Sequence, residues 1–255
     1  MLLIPAALFV LGAIVASFVG VLSGRLNTGQ SFLVGRSRCD ACAATLSPRA
    51  LVPILSYVVS GGRAHCCGAR ISVLSPLTEL LLGALFVLSY LTIGLTIALP
   101  FFLISLSVLL ALVLYDLTHQ ILPSSLLVLF VATSAMAGFL ESSSLSAFTS
   151  SLVTAVLVAA SLAAVHFFSD GRAMGFADAP LSFGLAILSG PAALSGFVFS
   201  FWIGAVVGIF ILLRRPVGSR MSSEVPLAPY LAAGSLLAYF PQWHPFVLIA
   251  AFSRH

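Results

Sequence analysis

Four cysteines and two aspartates carry the chemistry this sequence offers. The cysteines fall in one stretch, Arg38-Cys39-Asp40-Ala41-Cys42 and then Gly61-Gly62-Arg63-Ala64-His65-Cys66-Cys67-Gly68. Cys39-x-x-Cys42 has the spacing of a zinc knuckle, in which two thiolates reach one tetrahedral metal from a single tight turn. A second such pair, roughly 25 residues on, would close a four-sulfur site. Here the second pair is altered: Cys66 and Cys67 are adjacent, and Ala64 stands where a knuckle has its first sulfur. Cys39, Cys42 and Cys67 are the expected zinc ligands, and the fourth is Cys66 or the neighbouring His65. The plainer alternative is a packed module with idle thiols; a disulfide is disfavoured in a reducing compartment. A zinc ion here is structural, because a module this small has little core of its own.

The chain has seven acids: Asp40, Glu79, Asp116, Glu141, Asp170, Asp178 and Glu224. Asp40 and Glu141 read as solvated charges in a loop and an outer turn, and Asp170 as an exposed charge beside Arg172. Glu79 and Glu224 stand where loops run into apolar segments. An acid there suits a helix N-terminus or a substrate groove. Asp116 differs: it follows the unbroken run Phe101–Tyr115 and precedes Leu117-Thr118-His119-Gln120-Ile121-Leu122-Pro123. Asp178 closes Gly175-Phe176-Ala177-Asp178, just before another apolar run. Two carboxylates at one depth suit an aspartic-protease dyad, in which one stays protonated while the other takes a proton from water. The alternative is two independent helix-end charges.

The elements that must hold these groups are membrane spans. The chain has 255 residues, 60% hydrophobic and 7% charged, and a mean hydropathy of +1.18. Soluble domains carry about 25% charged residues, so a cytosolic globule, a disordered chain and a basic nucleic-acid-binding face are excluded. Six stretches lack Asp, Glu and Arg altogether: Met1–Gly24, Leu80–Tyr115, Leu117–Leu140, Ser142–Ser169, Ala179–Leu213 and Val225–Ser253. Each exceeds the roughly 20 apolar residues that a helix needs to cross a bilayer. The runs are continuous rather than alternating, which excludes a β-barrel. Two are broken, at Gly94–Pro100 and at Ser189–Gly196, so the expectation is an all-α polytopic protein of about eight transmembrane helices. They are placed at 2–24, 76–93, 98–115, 120–140, 145–168, 179–192, 195–213 and 225–240. The first is a retained span, and Pro245–Phe252 lies at the interface.

Every basic residue is Arg, and ten of the eleven fall in the loops 25–75, 116–119, 169–178 and 214–224. By the positive-inside rule that face is cytoplasmic, and both termini lie on the other side. The chain divides into a first helix (1–24), a cytoplasmic cysteine module (25–75) and a seven-helix core (76–255). His119 and His166, near cytoplasmic span ends, read as satisfied polar residues. Trp202 reads as lipid-facing or packed, and Trp243 as an interface anchor. No internal repeat is apparent.

In this order the motifs resemble the bacterial type IV prepilin peptidases, membrane aspartic proteases of the Gly-x-Gly-Asp class. The likeness rests on Ala16-Ser17-Phe18-Val19 with Arg25-Leu26, on Arg36-Ser37-Arg38-Cys39-x-x-Cys42, and on Val52-Pro53-Ile54-Leu55-Ser56-Tyr57 with Gly62-Arg63 and Cys67-Gly68-Ala69-Arg70-Ile71-Ser72. It continues through Pro76-Leu77-Thr78-Glu79-Leu80-Leu81, Asp116 with Leu122-Pro123, Gly175-Phe176-Ala177-Asp178, and Val225-Pro226-Leu227-Ala228-Pro229-Tyr230-Leu231-Ala232. The resemblance implies removal of a short basic leader from type IV prepilins or type II secretion pseudopilins, at the cytoplasmic membrane face and usually after a glycine. The resemblance makes Asp116 and Asp178 the expected catalytic pair. It also implies N-methylation of the new terminus with S-adenosylmethionine.

Several positions depart from the family pattern. Ala177 stands for the second glycine of the motif, and a positive φ there would strain it. Ala179-Pro180 stand where a lysine is common, and Thr118 for an aspartate, leaving Asp116 the only acid in its motif. Gly20 replaces an asparagine and Ala64 a cysteine, both in the half associated with methylation. The expectation is therefore proteolysis without efficient methyl transfer. Two readings from other classes are a membrane transporter, which would place its acids near mid-bilayer, and a metal-dependent regulator with inert aspartates. The sequence sets no oligomeric state.

Overall fold

The structure, a computed structural model, describes residues 2–26, 38–39, 41–45, 47, 52–172, 174–214 and 226–242. Arg36, Arg49, Arg215, Arg220, Arg254, Asp40, Glu224, Trp243 and the interfacial segment Pro245–Phe252 lie outside these residues. The described chain is nearly all helical: α1 (Leu3–Arg25), α2 (Leu55–Val59), α3 (Leu74–Ile93), α4 (Ala98–His119), α5 (Ser124–Glu141), α6 (Leu145–Phe168), α7 (Asp178–Ser189), α8 (Ala193–Arg214) and α9 (Ala228–Tyr239). Among the described residues there is no strand, and extended pairing is confined to two isolated bridges, Arg38 with Thr45 and Arg63 with Arg70.

Each of the eight expected segments contains a helix, of 18 to 24 residues in six of them and of 12 residues in α7 and α9. Six stretches are long and apolar enough to cross a membrane: α1, α3, α4, α5, α6 and Asp178–Ile211. The last is divided where sequence places the break, by a 3-10 turn at Gly190–Ala192 with Gly190 at φ +52. Gly94, at φ +73, ends α3 in the other broken run. The twelve residues of α9 span about 18 Å. Two neighbouring boundaries need correction. The third segment does not stop at Tyr115 but continues one turn, through Asp116 to His119, and the fourth starts at Ser124 rather than at residue 120. Gln120 then takes a left-handed conformation (φ 55, ψ 32) and bonds its N–H to Asp116 O at 2.8 Å, ending the helix ahead of Pro123. Asp116 is thus a helical residue rather than a loop residue.

The chain forms two compact units, Met1–Gly94 and Leu95–His255. In the first, α1 and α3 pair along small residues. Gly12, Ala13 and Ala16 of α1 and Gly83 of α3 are buried, and a Cβ on Gly12 would stand 2.8 Å from Gly83 Cα. Without a hydrophobic drive between helices in lipid, such close backbone approach supplies the packing. In the second unit α4 is enclosed along most of its length, α7 packs on α5, α6 and α9, and α8 packs on α9. A Cβ on Gly234 of α9 would collide with Ser200 N and Oγ of α8. Ser200 Oγ donates to Gly196 O at 2.8 Å and to Leu231 O at 3.2 Å, a polar tie between the two helices.

Candidate metal site and candidate active site

The cysteine segment contains a repeat that its residue types conceal. Arg38 and Thr45 bracket the first turn, and Arg63 and Arg70 bracket the second. Inside the first, Cys39 N–H donates to Ala44 O (2.9 Å) and Ala43 N–H to Cys39 O (2.8 Å). Inside the second, Ala64 N–H donates to Ala69 O (2.8 Å) and Gly68 N–H to Ala64 O (2.7 Å). Ala43 (φ 57) and Gly68 (φ 70) make the same left-handed bend. Each contact in one turn has its counterpart 25 residues later, for example from Ala43 to Gly68. The expectation of no internal repeat is corrected: Arg38–Thr45 and Arg63–Arg70 are two copies of one knuckle. Cys67 corresponds to Cys42, and Ala64 to Cys39.

The sulfur missing at Ala64 comes from Cys66. The Sγ atoms of Cys39, Cys42, Cys66 and Cys67 all lie within 4.8 Å of one another, and His65 is not in the group. Cys42 to Cys66 is 3.2 Å, Cys39 to Cys67 3.8 Å and Cys66 to Cys67 3.9 Å. A tetrahedron of thiolates around zinc at 2.3 Å has edges of about 3.8 Å, so the four sulfurs fit one such ion. Backbone hydrogen bonds from Ala41 and Cys42 bring the Cys39 thiol down to about 7. Cys66, hydrogen-bonded first to Cys42 and then to Cys39, is pushed up to about 12. Protons shared between sulfurs in this way leave when a cation takes their place.

The aspartates are built differently. Asp116 sits in the last turn of α4, 6% exposed, and its Oδ2 accepts the N–H of Ala228, the first residue of α9, at 3.1 Å. Asp178 is the first residue of α7, 8% exposed. Its carboxylate lies against the backbone of Gly175, close enough to Asp116 for the charge of one to act on the other. Helix α9 packs on both α4 and α7. Ala177 has φ −65 and ψ −17, ordinary right-handed backbone, so the expected strain of an alanine at this position does not arise. Thr118 is exposed and donates to Leu114 O and Tyr115 O of its own helix, which leaves Asp116 the acid of its motif.

Other expected residues have plainer places. Glu79 is buried in the second turn of α3, beyond the reach of a helix-end dipole. Its Oε2 accepts Ile54 N–H at 2.7 Å, at the start of α2. Glu141 is exposed and accepts from Tyr239 OH at 2.8 Å. Asp170 is exposed, as expected. The His119 ring lies 4.4 Å from that of Tyr115. Trp202 is half exposed, edge-on to Phe199. Two groups were missed by sequence reasoning. The N–H of Ala228 left no signal, since a backbone donor has none. His166 Nδ1, at 2.9 Å from Met174 O, belongs to a histidine that was noticed but given no partner.

Comparison with known proteins adds to this geometry. Residues 10–93 match the family described as Bacterial Peptidase A24 N-terminal domain. The chain is 31% identical over 233 residues to a prepilin leader peptidase/N-methyltransferase of Bacillus subtilis, covering 91% of this chain and 92% of that protein. It is 35% identical to one of Myxococcus xanthus, over 81% of this chain and 62% of that protein. It is 26% identical to a type 4 prepilin-like proteins leader peptide-processing enzyme of Escherichia coli, over 93% of this chain and 96% of that protein. No solved structure matches it significantly.

Proposed function

The chain belongs to the prepilin leader peptidase/N-methyltransferase family, and on that premise we propose that it is an aspartic endopeptidase that removes the leader of type IV prepilins or pseudopilins. Its apolar stretches and its family make it a multi-pass inner-membrane protein. Our reading places cleavage at the cytoplasmic face, where the arginine-bearing loops fall, with both termini on the opposite side. The observation that carries the reading is the pair of buried carboxylates, Asp116 at the end of α4 and Asp178 at the start of α7, on two helices that both pack on α9.

The chemistry follows from two acids sharing one proton. The ionised carboxylate takes a proton from a water, whose oxygen bonds to the scissile carbonyl carbon. The protonated partner gives its proton to the carbonyl oxygen, and a gem-diol forms. On collapse the C–N bond breaks: the carboxyl that took the water's proton gives it to the departing nitrogen, and the other carboxylate takes a proton from the gem-diol, which restores the dyad and leaves a leader carboxyl group and a new N-terminal amine. The Ala228 N–H holds the Asp116 carboxylate in one orientation throughout.

The four thiols would hold one zinc ion, which supplies a cross-link between the two knuckles and takes no part in hydrolysis. In this reading 25–75 is a stabilising module and 76–255 the proteolytic core. S-adenosylmethionine requires a cradle for its charged amino-acid end. Glu79, the buried acid among the described residues of the first unit, already accepts Ile54 N–H. Gly20 faces open space. Ala64 no longer counts against methylation, because Cys66 restores the sulfur.

Purified enzyme incubated with a precursor pilin and labelled S-adenosylmethionine, then read by mass spectrometry, tests both activities. Cleavage at the leader junction with little label on the new amine is the expected result. An uncut precursor would overturn the peptidase reading.

A further inference from the structure

Asp178 stands at the end of the connection 169–177 between α6 and α7. The half next to α6 is closed by its own backbone, with Gly171 N–H donating to His166 O (2.9 Å) and Arg172 N–H to Ser169 O (3.0 Å). The half next to α7 is closed by Asp178 N–H to Gly175 O (3.3 Å) and Ala179 N–H to Phe176 O (3.2 Å). A polar contact between the halves runs from His166 Nδ1 to Met174 O, at 2.9 Å. A carbonyl oxygen only accepts, so Nδ1 carries the hydrogen and the imidazole is fixed in that tautomer. The ring itself is boxed in. It meets Phe167 and Phe176 edge-on, with centroids 5.4 and 5.6 Å away, and a Cβ on Gly171 (φ +72) would come within 3.2 Å of its Cε1.

We infer that His166 is a positioning residue for Asp178: by donating Nδ1–H to the Met174 carbonyl it fixes the Gly175–Asp178 turn, and with it the aspartate. The inference rests on Asp178 being catalytic, as proposed above. His166 transfers no proton in it. The logic is geometric, since displacing a reacting group by about 1 Å costs up to roughly a hundredfold in rate. The hydrogen bond spans eight residues of sequence, so losing it frees the turn without unfolding either helix.

Four substitutions separate the donor from the ring. Asn places its amide nitrogen where Nδ1 stands, and Gln places its own where Nε2 stands; Phe keeps the ring without a donor, and Ala removes both. His166→Ala and His166→Phe should lower kcat for precursor cleavage roughly tenfold to a hundredfold, with KM changed by less than about twofold. His166→Asn should recover most of the rate with the wild-type pH profile, and His166→Gln should not. Wild-type kcat in His166→Phe would overturn the inference in favour of ring packing. A displaced pH profile in His166→Asn would overturn it in favour of proton transfer. If His166→Ala fails to insert, the contrast between Asn and Phe decides in the same way. Nitrogen-15 spectra of histidine-labelled wild type, assigned by difference with His166→Asn, should show a protonated Nδ1 and a bare Nε2. The opposite tautomer sinks the contact whatever the activity. A wild type that shows this tautomer but does not cut a precursor refutes the peptidase reading instead.

Discussion

The cysteine cluster and the carboxylate pair solve the same problem, bringing distant side chains together, by opposite means. The cysteines sit on two copies of one turn, each closed by its own backbone hydrogen bonds and largely exposed. The aspartates sit at a helix end and a helix start, both buried, and Asp116 is oriented by a backbone group 112 residues away. A locally closed site tolerates rearrangement: Ala64 replaces a sulfur and Cys66, two residues on, supplies it. A site assembled from helix ends has no such freedom, because moving an acid by one residue turns it about 100° around the helix axis.

The sharpest test of this contrast lies with the acids. Asp116→Asn and Asp178→Asn should each reduce cleavage by about three orders of magnitude or more while the protein inserts and keeps its metal. Metal loss in either variant would show that the two sites are not independent. Next in size, Cys42→Ser should drop bound zinc from one equivalent to below about a tenth and lower the thermal midpoint. Cleavage should fall only as far as the folded fraction does; a loss of activity in fully folded protein would move the metal into the chemistry. The repeat itself is probed by the double change Ala64→Cys with Cys66→Ala, which restores a regular second knuckle. Metal analysis should still find one zinc, and likewise for His65→Ala. Loss of zinc from His65→Ala would return the fourth ligand to histidine. The smallest effect is expected from Ala177→Gly, the residue that the family pattern prefers. With right-handed backbone at this position, the change should cost about 0.5–1 kcal/mol in stability and leave kcat within about twofold. A large gain in rate would mean that the turn adopts another conformation with substrate bound.

How far the sequence reaches differs between the two sites for a physical reason. Apolar run length and Gly or Pro breaks report local backbone preference, so the helices and both breaks, at Gly94 and Gly190, are legible. Cys39-x-x-Cys42 is legible because its spacing is a turn. The second knuckle was half-read, since residue identity hides what backbone hydrogen bonds repeat. Asp116 and Asp178 stand out as acids among apolar residues, but nothing in one dimension says which donor faces them. The end of α4 was misplaced because a left-handed Gln120 does the work usually left to glycine.

The crossing of α8 and α9 carries a consequence for Asp116. Gly234 lies where any side-chain carbon would strike Ser200, so the two backbones bear directly on each other. Less than two turns earlier, the same helix presents the Ala228 N–H to Asp116. Adding one methyl there, Gly234→Ala, has to part α9 from α8 at the crossing. The expected result is a weakened Ala228 N–H contact to Asp116, read as slower precursor cleavage by protein that still inserts. Such a variant would be an enzyme disabled through its scaffold, with every reactive atom still in the chain.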